Sequence, residues 1–242
     1  MPASSEHSPR GRFIRLVLFD VDGTLIHTGG AGVRAFGRAM DLLFGVRNAT
    51  EGVSFAGRTD YSLVREIFAR HGIPATADNL ASFFDAYVFL LDDLLHGSAG
   101  GVEDGVWDWL RGLRRAPHKI VVGLLTGNIR LGAEIKLRRF GLWEFFETGA
   151  FSDDHVDRNH IAAAARRRGE AVLGQPLADE EVLVVGDTPL DIACGKHIGA
   201  RTLAVATGRH SPDELRTHQP DWVLTRLGEM SVRQLWTSAP AS

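Results

Sequence analysis

Cysteine, lysine and long apolar runs are what this chain has least of. One of its 242 residues is cysteine, Cys194, so no internal disulfide can form. That fits a reducing compartment, and a cytoplasmic location is expected. The setting of Cys194, "DIACGKHIGA", reads as a small apolar position on a helix. Lysine occurs three times, at Lys119, Lys136 and Lys196, against 24 arginines. Net charge is −3, so no overall basic excess draws the chain to nucleic acid or an anionic membrane. The local run Arg166-Arg167-Arg168 reads as the solvated end of a helix. No apolar stretch reaches the roughly 20 residues of a membrane-spanning helix. The opening "MPASSEHSPRGR" has no apolar core of a secretory signal. Residues 1–12 are expected to form a loose polar tail, and the closing "TSAPAS" reads the same way.

What is present is ordinary for a soluble globular protein: 44% hydrophobic and 24% charged residues, enough to bury a core. Five short runs are nearly continuous in Val, Ile and Leu: 14–21, 119–126, 181–187, 201–207 and 221–225. They do not alternate with polar residues, as expected of strands buried on both faces of a parallel sheet. A sixth, weaker strand is possible at 148–154. Helical patterns at 129–141, 158–171 and 189–200 separate several of them, which predicts a doubly wound α/β fold. One interval breaks the rhythm. From Thr24 to about Asp104 there is no strand-like run, only three amphipathic helical patterns at 31–46, 60–72 and 78–97, with Asp60 a candidate cap for the second. An ordinary crossover is much shorter. The interval therefore reads as a helical insertion on the α/β core.

Ligands of open α/β sheets bind beyond the carboxyl ends of the strands. Three predicted strands end in polar clusters: Asp20-Val21-Asp22-Gly23-Thr24, Thr126-Gly127-Asn128, and Gly186-Asp187-Thr188 with Asp191 four residues beyond Asp187. A parallel sheet brings all three to one edge. Four crowded carboxylates repel one another, and a divalent cation resolves this. Oxygen-only ligands suit Mg²⁺, and no Cys/His set with zinc spacing competes. A carboxylate can also attack phosphorus, a second can move a proton, and Thr126 with the turn N–H groups at Gly127 can hold phosphoryl oxygens. Asn128 either caps the following helix or lies near the phosphate.

"DVDGT", "LLTGN" and "VVGDTPLD", each after a strand and in that order, resemble the haloacid dehalogenase-like (HAD) hydrolase superfamily over about residues 14–227. The nearest likeness is to its phosphoglycolate phosphatase-like group. The resemblance implies that Asp20 is the nucleophile, Asp22 the acid/base and Thr126 a phosphoryl ligand. It implies that Asp20, Asp187 and the backbone carbonyl of Asp22 hold magnesium, with Asp191 in support. It also implies a helical cap over residues 27–103, inserted in a core of residues 13–26 and 104–236. Dehalogenating members lack the second Asp, so Asp22 favours phosphoryl transfer. One motif departs: the family lysine between the second and fourth motifs has no match. Arg158 stands at about its place, just before a helix, and mid-helix Lys136 is the other candidate. Arg58, in "FAGRTDY" of the expected cap, either reads a substrate anion or braces a helix. The expectation is a magnesium-dependent phosphatase acting on a small organic phosphate monoester, a phosphorylated metabolite, through an aspartyl-phosphate. A phosphomutase of the same superfamily shares every motif and differs in its product. A non-catalytic phospho-ligand or partner-binding module would not need both Asp20 and Asp22.

Overall fold

The computed structural model describes residues 13–237, so the tails expected at 1–12 and over most of "TSAPAS" lie outside the described residues. The first half of the chain runs β1 (Leu16–Phe19), β2 (Ile26–His27), α1 (Ala31–Phe44), α2 (Asp60–Arg70), α3 (Ala77–His96) and β3 (Gly101–Val102). The second half runs α4 (Val106–Arg114), β4 (Val121–Leu125), α5 (Arg130–Arg139), β5 (Thr148–Ala150), α6 (Arg158–Leu173), β6 (Val182–Gly186), α7 (Pro189–His197), β7 (Arg201–Val205), α8 (Pro212–Thr217) and β8 (Trp222–Leu224).

Six strands form one parallel sheet in the order β5-β4-β1-β6-β7-β8. Its central strands lack polar alternation because both faces are covered. Val17 and Phe19 of β1 pack with Trp109, Leu110 and Leu137 of α4 and α5. Leu16 and Leu18 pack on the opposite face with Ile161, Ala165 and Cys194 of α6 and α7. Side chains of a strand alternate between faces, so one apolar run serves two helical layers. The doubly wound α/β fold expected from the sequence is the fold observed. Cys194 is buried in this layer, and burial pushes its thiol up to about 12, which leaves it inert as a nucleophile.

Register sets the site. Phe19 lies opposite Leu124 on one side and Val185 on the other. One or two residues further on, Asp20, Thr126 and Asp187 therefore leave the sheet side by side. The backbone N–H of Asp20 still donates to the Val185 carbonyl at 2.9 Å, which holds β1 in line to its last residue.

Helices α1, α2 and α3 form a hydrophobic cluster of their own. Phe36 sits at its centre, edge-on to Phe83 at 5.1 Å and to Tyr87 at 4.6 Å between ring centroids. Each buried ring contributes roughly 1.5–3 kcal/mol by removal from water. The chain enters and leaves this helical interval through β2 and β3, which pair antiparallel, Ile26 against Val102 and His27 against Gly101. The sequence reading gave no strand here. Two-residue strands have no period to detect, and only their pairing defines them. A second correction concerns α2. Its N-cap is Thr59, whose hydroxyl accepts from the Ser62 N–H, and Asp60 is the first helical residue. That frees the Asp60 side chain for another contact.

Candidate active site

The helical interval is seated on the carboxyl edge of the sheet by its "GRTDY" segment. The Asp60 N–H donates to the Gly127 carbonyl at 2.7 Å, and the Tyr61 N–H to Ser152 Oγ at 3.1 Å. Thr59 Oγ1 donates to the Val156 carbonyl at 2.9 Å. Gly127 is required by this approach: a Cβ there would stand 2.1 Å from the Arg58 carbonyl oxygen. Between interval and sheet edge lies a cavity of about 350 Å³. Its floor includes Asp20, Asp22, Thr126, Asn128, Arg158 and Asp187, and its far wall is Val33, Phe36, Phe55, Leu63 and Tyr87.

Asp20, at the end of β1, is buried. Burial pushes its carboxyl up to about 6, with Arg158 opposing and Asp191 and Asp22 adding to the rise. The chain then turns at Gly23, whose φ of +85° suits glycine. A Cβ at Gly23 would also lie 2.6 Å from Asp187 Oδ2. Thr24 Oγ1 donates to Asp187 Oδ1 at 3.1 Å. That is the one hydrogen bond of the buried Asp187 carboxyl among the described residues. Burial, with Asp191 and Asp20 nearby, pushes that carboxyl up to about 9. Asp191 caps α7 with one carboxylate oxygen. Its Oδ2 accepts from the Thr188 N–H at 3.0 Å and from Thr188 Oγ1 at 2.6 Å.

Arg158 begins α6 behind its N-cap Asp157. Its Nη2 donates to Asp20 Oδ1 at 2.8 Å and also to Asp191 Oδ1. Its Nη1 donates to the Gly57 carbonyl of the helical interval at 3.0 Å. Burial works against the charge of Arg158, but Asp191 and Asp20 outweigh it, so its pKa is raised well above normal. Its Nε is buried with no hydrogen-bond partner among the described residues. Of the two cations considered for the missing lysine, it is Arg158 that touches Asp20.

Lys136 lies elsewhere. From the last turn of α5 its Nζ donates to Asp22 Oδ2 at 2.6 Å and to Asn128 Oδ1 at 2.5 Å. Asn128 Nδ2 donates to the same Asp22 oxygen at 2.8 Å and to Thr126 Oγ1 at 2.8 Å. The Asn128 side chain thus lies within the cluster, while α5 itself has Ile129 at its N-cap. Arg58 lines the cavity, but its guanidinium pairs with Glu66 and donates to the Ser62 carbonyl at 3.4 Å, bracing α2. Sequence reasoning took Asp60 only as a candidate helix cap, but its Oδ2 accepts from the Ile129 N–H at 2.8 Å inside the cavity wall. Burial pushes Asp60 up to about 7, against the pull of Lys136. The signal was the Thr59-Asp60 pair, in which the threonine alone suffices as a cap. Asp153 and Asp154 stay apart from the acid cluster. Asp153 accepts from the Arg130 N–H at 2.5 Å, and Asp154 pairs with Arg168.

The donor set fits a hard divalent cation. Carboxylate oxygens of Asp20, Asp187 and Asp191 lie within 4.8 Å of one another, all buried, with no nitrogen or sulfur ligand among them. Asp187 in particular is a buried acid with one hydrogen bond, an arrangement that favours a cation over water.

Residues 156–230 match the family model for HAD-hydrolase-like proteins. Pyrophosphatase PpaX of Anoxybacillus flavithermus is 26% identical over 218 residues, covering 90% of this chain and 95% of that protein. Among solved structures, CbbY from Rhodobacter sphaeroides in complex with phosphate has a TM-score of 0.72 at 21% identity, covering 92% of this chain and 99% of the other. A predicted phosphoglycolate phosphatase from Haemophilus somnus has a TM-score of 0.68 at 16% identity, covering 89% and 96%. These two structures share the fold. No described helix is long and apolar enough to cross a membrane.

Proposed function

We propose that this chain, a haloacid dehalogenase-like hydrolase and a phosphatase, hydrolyses a small organic phosphate monoester through an aspartyl-phosphate on Asp20. The observation that carries the reading is the meeting of Asp20, Asp22, Thr126 and Asp187 in one cavity, with Arg158 on the Asp20 carboxylate.

Asp20 attacks phosphorus, and the bond from phosphorus to the ester oxygen breaks. Asp22 gives its proton to that oxygen as the alcohol leaves. Asp22, now a carboxylate, takes a proton from water, which attacks the aspartyl-phosphate. Phosphate leaves and Asp20 is restored. Thr126 is suited to hold a phosphoryl oxygen: its hydroxyl accepts from Asn128, so its own proton is free to donate. Arg158 fixes one Asp20 oxygen and, through Gly57, ties that orientation to the helical interval seated above. A divalent cation, magnesium by the character of the donors, would be held by Asp20, Asp187 and the Asp22 carbonyl with Asp191 in support, and would screen the nucleophile from the anionic phosphoryl group.

The far wall of the cavity supports an organic leaving group. It is apolar apart from the buried Asp60 and the Tyr87 hydroxyl end. Of the basic residues that line the cavity, His27 lies on Glu103, Arg58 on Glu66, Lys136 on Asp22 and Arg158 on Asp20, while Arg209 makes no ion pair among the described residues. A second phosphoryl group directed at the far wall would meet an apolar surface and a carboxyl. The test is phosphate release across small phosphorylated acids, sugars, nucleotides and pyrophosphate, with magnesium and with chelator. Magnesium-dependent release from an organic monoester, exceeding that from pyrophosphate, is expected. An isomerised sugar phosphate without release, or no turnover of any monoester, overturns the proposal.

A further inference from the structure

Lys136 is a buried cation for which the proposed chemistry has no use. Its side chain is 5% exposed, in the last turn of a helix whose other basic residues face outward. Removing an ammonium group from water costs several kcal/mol unless it is paired and hydrogen-bonded. Two acceptors compensate here, Asp22 Oδ2 and Asn128 Oδ1. The contact with Lys136 sets which way the Asn128 amide points, with its oxygen on the ammonium and its NH₂ on Asp22 and Thr126. Asp22 Oδ2 therefore receives two donors, 2.6 and 2.8 Å away, from two side chains. Its Oδ1 carries no hydrogen bond among the described residues, and Asp22 lines the cavity. The free oxygen is the one left to meet the substrate.

We infer that Lys136 is a positioning residue for Asp22, holding one carboxylate oxygen so that the other is presented for proton transfer. The inference rests on the proposed role of Asp22. Two cations divide the site: Arg158 orients the attacking carboxylate, and Lys136 with Asn128 orients the proton-moving one. When Asp22 passes its proton from Oδ1 to the departing ester oxygen, the resulting charge develops beside the ammonium.

Leaving groups separate this role from a merely structural one. An alkyl or sugar phosphate needs its leaving oxygen protonated, and 4-nitrophenyl phosphate does not. K136M, close to lysine in shape, is compared with wild type on both, with magnesium, after circular dichroism has shown both folded. The expected loss in kcat on the alkyl ester is ~10- to 100-fold, a part of the ~10²–10⁴ that general acid–base catalysis provides. The loss on 4-nitrophenyl phosphate should be at least ~10-fold smaller, because that step draws little on the acid. Equal losses on the two substrates overturn the inference. If K136M does not fold, the pair D22N and D22N/K136M serves, since the double variant removes both charges of the pair together. With Asp22 already disabled, removing Lys136 should change kcat on the alkyl ester by less than ~3-fold. A further loss as large as in wild type contradicts the inference. Absence of any monoester turnover by wild type is a failure of the proposed function instead.

Discussion

Asp60 provides a stability test that does not depend on turnover. Its carboxyl is buried in the cavity wall and pushed from 3.8 up to about 7, by burial first and with Lys136 opposing. In the unfolded chain the same group ionises near 3.8. Below that pH both states are protonated and the group favours neither. As pH rises towards 7 the unfolded state loses its proton while the folded state keeps it, so stability falls. Above about 7 the loss is complete. The gap between 3.8 and about 7 corresponds to about 4 kcal/mol, at ~1.4 kcal/mol per pKa unit. Asp60→Asn keeps an oxygen to accept from the Ile129 N–H and removes the titration. The variant should match wild type near pH 4 and gain on it as pH rises. A full 4 kcal/mol at about 2–4 °C per kcal/mol for a chain of this size would shift Tm by about 8–16 °C at pH 8. The assay is thermal unfolding from pH 4 to pH 9 in chelator. Parallel Tm curves for the two proteins would refute the reasoning, because they would mean that Asp60 ionises freely in the folded state.

Three further outcomes follow from the same structure. Arg158→Met leaves Asp20 and Asp191 buried without their partner, so stability at pH 8 should drop by ~3–5 kcal/mol in denaturant unfolding; a drop below ~1 kcal/mol contradicts the packing described. Magnesium should raise Tm more at pH 8 than at pH 6. Asp20 and Asp187 titrate at about 6 and about 9, so the metal-free fold loses stability as pH rises while cation binding gains from the vacated protons; an equal rise at both pH values counts against the acid cluster as the metal site. Phe83→Ala removes a fully buried ring packed on Phe36 in the helical interval and should cost ~3–5 kcal/mol, read by urea unfolding; a loss under ~1 kcal/mol would mean that the interval is not held by this cluster.

Much of the fold was legible because its physics is local. Strands buried on both faces must be continuously apolar, and each of the six runs became a strand. Sheet order was not legible, since the same alternation of strands and helices allows several orders. The β2–β3 pair escaped notice because two residues carry no period. Helix α8 escaped because its six residues bury one side chain, Leu215, and so present no apolar stripe. In the site, the carboxylates could be placed from strand ends and turns alone. The cations could not. A long flexible side chain reaches several ångströms from its backbone, so its partner is chosen in three dimensions. Arg158 and Lys136 were both plausible neighbours of Asp20; the structure puts Arg158 on Asp20 and Lys136 on Asp22. Arg58 was read as facing substrate or bracing a helix, and its guanidinium lies on Glu66.

The central claim is that one carboxylate carries the phosphoryl group, and phosphate release by Asp20→Asn measures it most directly. The asparagine keeps the shape of Asp20 and an oxygen to accept from Arg158, so the fold should persist with an unchanged circular dichroism spectrum. With the magnesium-activated monoester that wild type turns over, phosphate release should fall to background. Release by the folded variant at a rate near that of wild type would contradict the account.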